Sequence, residues 1–338
     1  MMKKFVLSGY FGFKNFGDEA ILSVLVNKLK EYNHQITIIS SDPQYTINKF
    51  DDVKSIYTFK MSEIFKAIYK SDYLISGGGS LLQDATSLKS LIYYLLVICI
   101  ALLLRKKVII FAQGIGPINN PIGQLLTKTI LRFCNYLSVR DIKSYELLKS
   151  WGINADLVCD PIFSSKIEET QKKPVVAVQL RDYKTVTTDF IDRLAQKIVQ
   201  EFPNKNVEIF SFQDTIDFER CNQLARAIKM LSPDCHITVF NKLSDKEVIE
   251  KISKAEYLIA MRFHAIIVGL LSSAKTLGIN YDIKVEKLAT EFNIPILHLQ
   301  KDFNDEFKQL KEQDLTAIQA QISIKNFNWE GFEKAINN

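Results

Sequence analysis

Three glycine-rich segments, each following a short apolar run, are the first candidates for chemistry. The first spans Gly9–Ala20 and contains Gly12, Asn15 and Asp18. Glycine lets backbone amides approach an anion at the start of a helix. The segment matches neither a G-x-G-x-x-G pattern nor a Walker loop. Turn and cap chemistry alone, with Asp18 as the helix N-cap, is therefore as open as a binding role.

The second and third segments repeat this arrangement along the chain. The second contains Gly78 and Gly79, and the third begins with Gln113 and Gly114. Glycines beside a strand end indicate a backbone that passes close to a ligand or to another loop. One such loop is weak support for a site. Three of them at the strand ends of one sheet favour a ligand-binding cleft.

Four side chains that can carry positive charge follow predicted strands instead of lying on helix faces. They are Arg140, Arg262, His264 and Lys284. Arginine suits bidentate capture of carboxylate or phosphate, lysine supplies a point charge, and histidine transfers protons near neutral pH. The alternatives are a solvated surface for each cation and a helix-capping role for the histidine. No second His or Cys lies at ligand spacing, so we predict no metal site.

These candidates must be positioned by the elements between them. Short β-branched runs alternate with helix-like stretches, which is typical of α/β proteins with parallel sheets. The predicted strands are Lys4–Ser8, Gln35–Ser40, Tyr73–Ser76, Val108–Ala112, Tyr136–Val139, Val175–Leu180, Val207–Ser211, Ile237–Val239, Tyr257–Ala260 and Thr276–Ile279. In such sheets, ligands bind at the carboxyl ends of the strands.

The length and a polar stretch indicate two domains. A chain of 338 residues is about right for two domains of typical size. The stretch Ile167–Pro174 precedes a strand and marks the boundary, which gives domains at 1–166 and 167–338. The segment Lys70–Ser76 reads much like Lys254–Ala260, which suggests equivalent strands in two similar halves.

Composition and charge limit the classes of protein that fit. The chain is 47% hydrophobic and 24% charged, which excludes a disordered protein. Lysine and arginine outnumber aspartate and glutamate by 43 to 38, so an anionic ligand is allowed and no nucleic-acid partner is predicted.

Five cysteines without a C-x-x-C pair predict reduced thiols. With no apolar core for a signal peptide near the N-terminus, we expect a cytoplasmic protein.

One apolar run leaves a membrane question open. Leu91–Leu104 has no charge and is followed by the basic residues Arg105–Lys107. As a helix it would cover about 21 Å, short of a bilayer core of about 30 Å. A buried helix is the leading interpretation. The alternative is peripheral contact with the inner face of the plasma membrane.

Together these residues resemble the polysaccharide pyruvyl transferase family. The blocks that carry the resemblance occur in order from residue 5 to about residue 292. They are Gly9–Asn15, Gly17–Leu22, Gly77–Leu81 with Asp84, Gln113–Pro117, Ser138–Asp141 with Ser144, Asp160-Pro161 and Arg262–Ala265.

The resemblance implies both a fold and a reaction. The fold would be glycosyltransferase-B-like, with two Rossmann-like domains facing across a cleft. The reaction would transfer a pyruvyl group from phosphoenolpyruvate, as co-substrate and without a cofactor, to a sugar diol of a cell-surface glycan or its lipid-linked precursor. Family members line the phosphoenolpyruvate site with an Arg, a His and a Lys, which fall on Arg140, His264 and Lys284. We expect Arg140 and His264 to be catalytic. Lys284, Arg262 and the glycine loops would bind substrate.

Two alternatives remain open at this point. The first is a nucleotide-sugar-dependent glycosyltransferase of the same fold, in which Arg262 and Lys284 hold a diphosphate and Asp42 or Glu286 contacts a ribose. The second is a non-catalytic protein that assembles glycans at a membrane surface through Leu91–Leu104.

Overall fold

The computed structural model describes residues 2–85, 87–168, 170–303 and 305–337, and the backbone but not the side chains of residues 214 and 215. The chain divides into two compact units. Unit 1 comprises Met1–Ser164 and Asn326–Asn338, and unit 2 comprises Ser165–Lys325. Residue 169, within the predicted boundary stretch, lies outside the described residues.

Unit 1 is built on one parallel sheet. Its strands are β1 (Lys4–Ser8), β2 (Gln35–Ser40), β3 (Val53–Tyr57), β4 (Tyr73–Gly77), β5 (Lys107–Gln113), β6 (Tyr136–Val139) and β7 (Asp156–Leu157). They form a seven-stranded sheet in the order β3-β2-β1-β4-β5-β6-β7. The order reverses between β1 and β4, so the loops after these two strands lie at the switch point where parallel sheets place ligands.

Helices connect these strands in turn. They are α1 (Phe16–Lys30), α2 (Pro43–Lys49), α3 (Met61–Tyr69), α4 (Leu88–Leu103), α5 (Pro121–Leu131) and α6 (Ile142–Ser150). A 3-10 turn follows at Pro161–Ser164. In α1, Leu22, Leu25 and Leu29 recur at helical spacing and are completely buried. This stripe fixes α1 and holds its first turn at the carboxyl end of β1.

Unit 2 repeats the arrangement with a shorter sheet. Its strands are β8 (Lys173–Leu180), β9 (Asn206–Ser211), β10 (Ile237–Phe240), β11 (Ala255–Ala260), β12 (Lys275–Asn280) and β13 (Ile296–His298). They form a six-stranded parallel sheet in the order β10-β9-β8-β11-β12-β13. The switch point of this unit therefore lies between β8 and β11.

The helices of unit 2 follow the same alternation. They are α7 (Thr188–Glu201), α8 (Asp214–Leu231), α9 (Asp245–Lys254), α10 (Phe263–Leu271), α11 (Ile283–Glu291), α12 (Glu306–Lys311) and α13 (Leu315–Ile324). α10 is almost entirely apolar and buried after its first turn, so its N-terminus is held rigidly beside the end of β11.

The α/β prediction is confirmed, and so is the internal repeat. All ten predicted strands are present with small differences at their ends. β4 is next to β1 in the first sheet, and β11 is next to β8 in the second, so the two similar segments are equivalent strands. Among the strands of the described residues, three short ones were not predicted, namely β3, β7 and β13.

The C-terminal segment differs from the predicted division of the chain. Residues 326–338 were assigned to the second domain, but residues 326–337 pack on unit 1 through α14 (Glu330–Asn337). Phe327, Trp329 and Phe332 surround Phe111 of β5 at centroid distances of 5.5, 5.5 and 5.1 Å. This aromatic burial explains why the segment returns to the first sheet.

The apolar run that raised the membrane question forms α4. One face of this helix, which includes Leu91 and Ile98, is completely buried in the core of unit 1. The opposite face leaves Ile92 and Leu103 46% and 77% exposed. The buried-helix prediction is therefore correct for one face only. Within the described part of the chain, no helix combines the length and apolar character needed to cross a membrane.

Candidate functional site

The first glycine loop joins β1 to α1, and its path requires Gly12. This residue has a φ of 79°, and a Cβ atom there would lie 2.1 Å from Ser40 Oγ. The Gly12 amide donates to Oε1 of Glu19 at 2.7 Å, and Glu19 forms an ion pair with Lys49 at 3.0 Å. Both charged side chains are buried. The ion pair thus fixes the loop against α1.

Asn15 and Asp18 both lie at the start of α1, and Asn15 rather than Asp18 caps this helix. Asn15 is the N-cap, because its Oδ1 accepts a hydrogen bond from the Gly17 amide at 3.1 Å. The prediction of Asp18 as the cap is wrong, since α1 begins two residues earlier than Asp18. Burial, and next the charge of Asp18, raise the pKa of the Tyr10 hydroxyl. The Asp18 carboxylate therefore lies within electrostatic range of Tyr10.

The second and third glycine loops meet α1 at the switch point of unit 1. Gly79 has a φ of 68°, and a Cβ atom there would lie 2.7 Å from Asp18 Oδ1. A Cβ atom on Gly78 would lie 2.7 Å from Ile21 of α1. The amide of Gly114 donates to the Gly79 carbonyl at 2.9 Å. The structure thus brings the three predicted loops of unit 1 together.

Gln113 ends β5 and ties it to β4. Its side chain is completely buried, and its Nε2 donates to Ser76 Oγ at 3.0 Å. Its Oε1 is buried and forms no hydrogen bond to any described residue. A buried acceptor of this kind is unfavourable unless a partner arrives. The predicted role of Gln113 in substrate binding stays a prediction.

Arg140 follows β6 and is held by a buried carboxylate. Its Nη1 lies 2.5 Å from Oδ2 of Asp160, and its Nη2 lies 3.5 Å from Ser80 Oγ beside the second glycine loop. Its amide donates to the Gln113 carbonyl at 3.3 Å. Asp160 also accepts a hydrogen bond from the Ile162 amide at 3.1 Å, and this bond fixes the orientation of its carboxylate. Arg140 is positioned at the same sheet edge as the glycine loops.

Arg262 is the N-cap residue of α10 in unit 2, and its guanidinium is engaged within the protein. Nη2 and Nε lie 2.6 and 3.1 Å from Oδ2 of Asp217, which is completely buried. The Arg262 amide donates to Oε1 of Gln179 at 2.7 Å. These bonds lock the β11–α10 connection. They also mean that the positive charge of Arg262 is balanced inside unit 2.

His264 and Lys284 occupy comparable places in unit 2. His264 is in the first turn of α10, its ring 5.3 Å from that of Phe263, and its Nε2 atom is buried. Lys284 is exposed in the first turn of α11, whose N-cap Asp282 accepts the Lys284 amide at 2.9 Å. Both residues follow the carboxyl end of a strand, as predicted. The positive end of the helix dipole favours an anion at both of these helix starts.

One cation at the carboxyl edge of the unit 2 sheet was not predicted from the sequence. Arg181 follows β8 directly, and its guanidinium stacks on Tyr281 at 5.3 Å from the ring centroid. The preceding strand Val175–Leu180 was predicted, so the rule that selected Arg140 could have selected Arg181 as well.

Among the described residues, no group of three or more His, Cys, Asp or Glu side chains could hold a metal ion. The five cysteines are free thiols, and burial raises the pKa of Cys221 to about 12.

A cavity of about 660 Å³ lined by Phe5, Gln35 and Lys54 lies at the amino ends of strands in unit 1, away from the glycine loops.

Comparison with known proteins assigns the chain to a family of transferases. The sequence model of the polysaccharide pyruvyl transferase family matches residues 15–283, most of the chain, and the chain belongs to this family. The resemblance noted from the sequence is therefore confirmed. The match includes Arg140 and His264, whereas Lys284 lies one residue beyond it. Among curated proteins, none matches the chain in sequence.

Solved structures show the same fold at low sequence identity. UDP-GlcNAc 2-epimerase from Methanocaldococcus jannaschii is 12% identical with a TM-score of 0.61, over 97% of this chain and 95% of that one. A glycosyltransferase from Rickettsia africae is 15% identical with a TM-score of 0.56, over 99% and 94%. The S. aureus MnaA–UDP structure is 9% identical with a TM-score of 0.54, over 96% and 92%. The two units are thus parallel-sheet domains of the glycosyltransferase-B type.

Proposed function

We propose that the protein transfers a pyruvyl group from phosphoenolpyruvate to two hydroxyls of a sugar, forming a ketal and releasing phosphate. The acceptor would be a cell-surface glycan or its lipid-linked precursor. The observation that supports this most is the family match over residues 15–283, which spans both Arg140 and Arg262–Ala265. Phosphoenolpyruvate serves as co-substrate, and no cofactor is needed in the proposed reaction.

The chemistry requires a proton donor and anion-binding groups. A proton adds to the methylene carbon of phosphoenolpyruvate, and the first sugar hydroxyl attacks the adjacent carbon and loses its proton. The bond to the phosphate oxygen then breaks, phosphate leaves, and the second hydroxyl attacks the same carbon. One hydroxyl proton replaces the proton that was added, and the other leaves with phosphate.

The predicted residues suit these steps by chemical type and position. Arg140 has five N–H donors, of which Asp160 binds one at 2.5 Å, so others can face a phosphate or carboxylate. His264 would give the proton to the methylene carbon or to the departing phosphate, a role that contributes roughly 10²- to 10⁴-fold. Lys284, exposed at the start of α11, would add a positive charge. Arg262 would act mainly by holding the start of α10.

The test is a mass measurement on the acceptor with released phosphate followed in parallel. The protein is incubated with phosphoenolpyruvate and a panel of lipid-linked and nucleotide-linked sugars. One acceptor should gain the mass of pyruvate less water, with one phosphate per transfer. His264→Ala and Arg140→Ala should reduce the rate by about a hundredfold or more.

Matched controls separate catalysis from general damage. His236 is exposed at the amino end of β10, and Arg226 forms an exposed ion pair with Glu219, so His236→Ala and Arg226→Ala should keep the wild-type rate. Native rates in both His264→Ala and Arg140→Ala would contradict the assigned roles. Transfer from a UDP- or GDP-sugar, without any pyruvyl transfer, would instead support the nucleotide-sugar glycosyltransferase alternative.

Peripheral membrane contact is a separate proposal that rests on the outer face of α4 and α5. The apolar side chains Ile92, Leu103, Ile122 and Leu125 are between 46% and 77% exposed on these packed helices. The basic residues Arg105–Lys107 follow α4 and would attract an anionic lipid surface. Flotation with anionic liposomes should be lost in Ile92→Glu with Leu103→Glu while pyruvyl transfer to a water-soluble acceptor is kept. Equal flotation of this variant and wild type would contradict the contact.

A further inference from the structure

Arg181 lies at the switch point of unit 2, next to the segment that carries Arg262 and His264. Gln179 of β8 pairs with Ala260 of β11, so the residues that follow each strand lie side by side. The Arg181 amide donates to Sδ of Met261 at 3.3 Å, which fixes its backbone beside the start of α10. Parallel sheets bind ligands at this position.

Two aromatic rings hold the Arg181 side chain. Its guanidinium carbon lies 5.3 Å from the ring centroid of Tyr281, which follows β12, and 5.9 Å from that of Tyr183. The two rings meet edge to face at 5.4 Å. Stacking on rings restrains a guanidinium without using its N–H donors. The side chain is thus oriented in advance, and its donors are kept for another partner.

The hydrogen bonds and charges around Arg181 are incomplete without such a partner. Its Nε atom is buried and forms no hydrogen bond to any described residue. No described carboxylate forms an ion pair with it, and the neighbouring Asp182 pairs instead with Arg220 at 2.7 Å. By contrast, Arg140 is balanced by Asp160 and Arg262 by Asp217. Of the three arginines that follow strands at these edges, Arg181 alone keeps its charge unbalanced within the described chain.

We propose that Arg181 binds a phosphate group of a ligand at the switch point of unit 2. An oxyanion would accept from the buried Nε–H and an adjacent N–H in the bidentate geometry that arginine and phosphate share. The phosphate comes either from phosphoenolpyruvate or from the diphosphate of an activated sugar. Naming these two sources rests on the proposed function, whereas the anion site itself does not.

Equilibrium binding with three probes tests this proposal. Phosphoenolpyruvate, UDP and inorganic phosphate are titrated into the wild type, Arg181→Gln, Arg181→Lys and Arg193→Gln. Arg193 is the matched control, because it also stacks on a ring, that of Phe303 at 5.0 Å, but its donors already bind Asp189 and the Leu299 and Lys301 carbonyls. Thermal unfolding of each variant confirms that it is folded at the titration temperature.

The expected outcomes distinguish the two phosphate sources. Arg181→Gln should weaken the binding of phosphoenolpyruvate or UDP by about tenfold or more, because a charge-assisted hydrogen bond is lost. Arg181→Lys should weaken this binding less, and Arg193→Gln should bind the probes as the wild type does. The probe whose binding is weakened more identifies the phosphate source, and equal weakening of both indicates a site that accepts either.

Two results would overturn the proposal. One is a folded Arg181→Gln variant that binds all probes as tightly as the wild type, and the other is a wild type that binds none of them at millimolar concentration. Failure of the proposed function looks different. In that case UDP but not phosphoenolpyruvate binds the wild type, and Arg181→Gln still weakens UDP.

Discussion

The buried pair Arg262–Asp217 allows the sharpest stability prediction, because it holds the start of α10 and therefore His264. The perturbation is Asp217→Asn, which keeps the size of the side chain and removes its charge. Asp217 is completely buried, and its Oδ2 lies 2.6 and 3.1 Å from two guanidinium nitrogens of Arg262. Its Oδ1 also accepts the Asp182 amide at 3.2 Å.

The expected loss follows from what remains after the substitution. Arg262 stays in a site where its side chain is only 11% exposed, so its charge becomes uncompensated. Removing one partner of a buried ion pair costs about 3–5 kcal/mol. We take the lower end, about 3 kcal/mol, because the Asn carbonyl can still accept one hydrogen bond. For a domain of this size that lowers the melting temperature by about 6–12 °C.

The assay uses the distribution of tryptophans. Both tryptophans of the chain, Trp151 and Trp329, belong to unit 1. Thermal unfolding followed by far-UV circular dichroism reports both units, whereas tryptophan emission reports unit 1. A loss of stability in unit 2 should therefore appear first in the circular dichroism.

Two controls accompany this experiment. Asp189→Asn removes an exposed charge that pairs with Arg193 and should change stability by less than about 0.5 kcal/mol. Replacing both partners, as in Asp217→Leu with Arg262→Met, should recover much of the lost stability. A change below about 1 kcal/mol in Asp217→Asn would refute the claim that this pair fixes the β11–α10 connection.

The other predictions concern separate parts of the fold. Gly79→Ala should destabilise unit 1 more than Gly152→Ala, because both have φ near 69° but only a Cβ at Gly79 meets Asp18; equal melting temperatures would contradict this. Phe332→Ala should cost unit 1 about 3–5 kcal/mol and shift tryptophan emission to the red, since Trp329 packs on this ring; an unchanged spectrum would argue against C-terminal docking. Burial lowers the pKa of Lys172 from 10.5 to about 8. Between these pH values the unfolded chain binds more protons, so the unfolding free energy of the wild type should rise with pH relative to that of Lys172→Met. Parallel pH profiles of the two proteins would contradict this lowered pKa.

Much of the fold was predictable because parallel sheets leave a strong local signal. Buried central strands such as β1 and β5 are continuous apolar runs between turn residues, and their bounds were predicted almost correctly. The missed strands β3, β7 and β13 are all edge strands, and their short sequences carry no such run. Each of these strands pairs on one side only, so burial imposes less apolar character on its sequence.

The candidate site was predictable in its positions but less so in its contacts. Gly79 and Gly114 could be placed at strand ends because glycine is informative about backbone path. That Asp217 neutralises Arg262 could not be foreseen, since the two residues are 45 positions apart and Asp217 lies within α8. The stacking of Arg181 on Tyr183 and Tyr281 could not be foreseen either, because these two rings follow the ends of two different strands.

The most direct test of the proposed function is calorimetric titration of phosphoenolpyruvate into the wild type, Arg140→Ala and His264→Ala, with UDP titrated in parallel. We predict saturable binding of phosphoenolpyruvate to the wild type and weakening by about tenfold or more in Arg140→Ala, because this variant loses charge-assisted hydrogen bonds to the ligand. Binding of UDP by a wild type that does not bind phosphoenolpyruvate would contradict the proposed reaction.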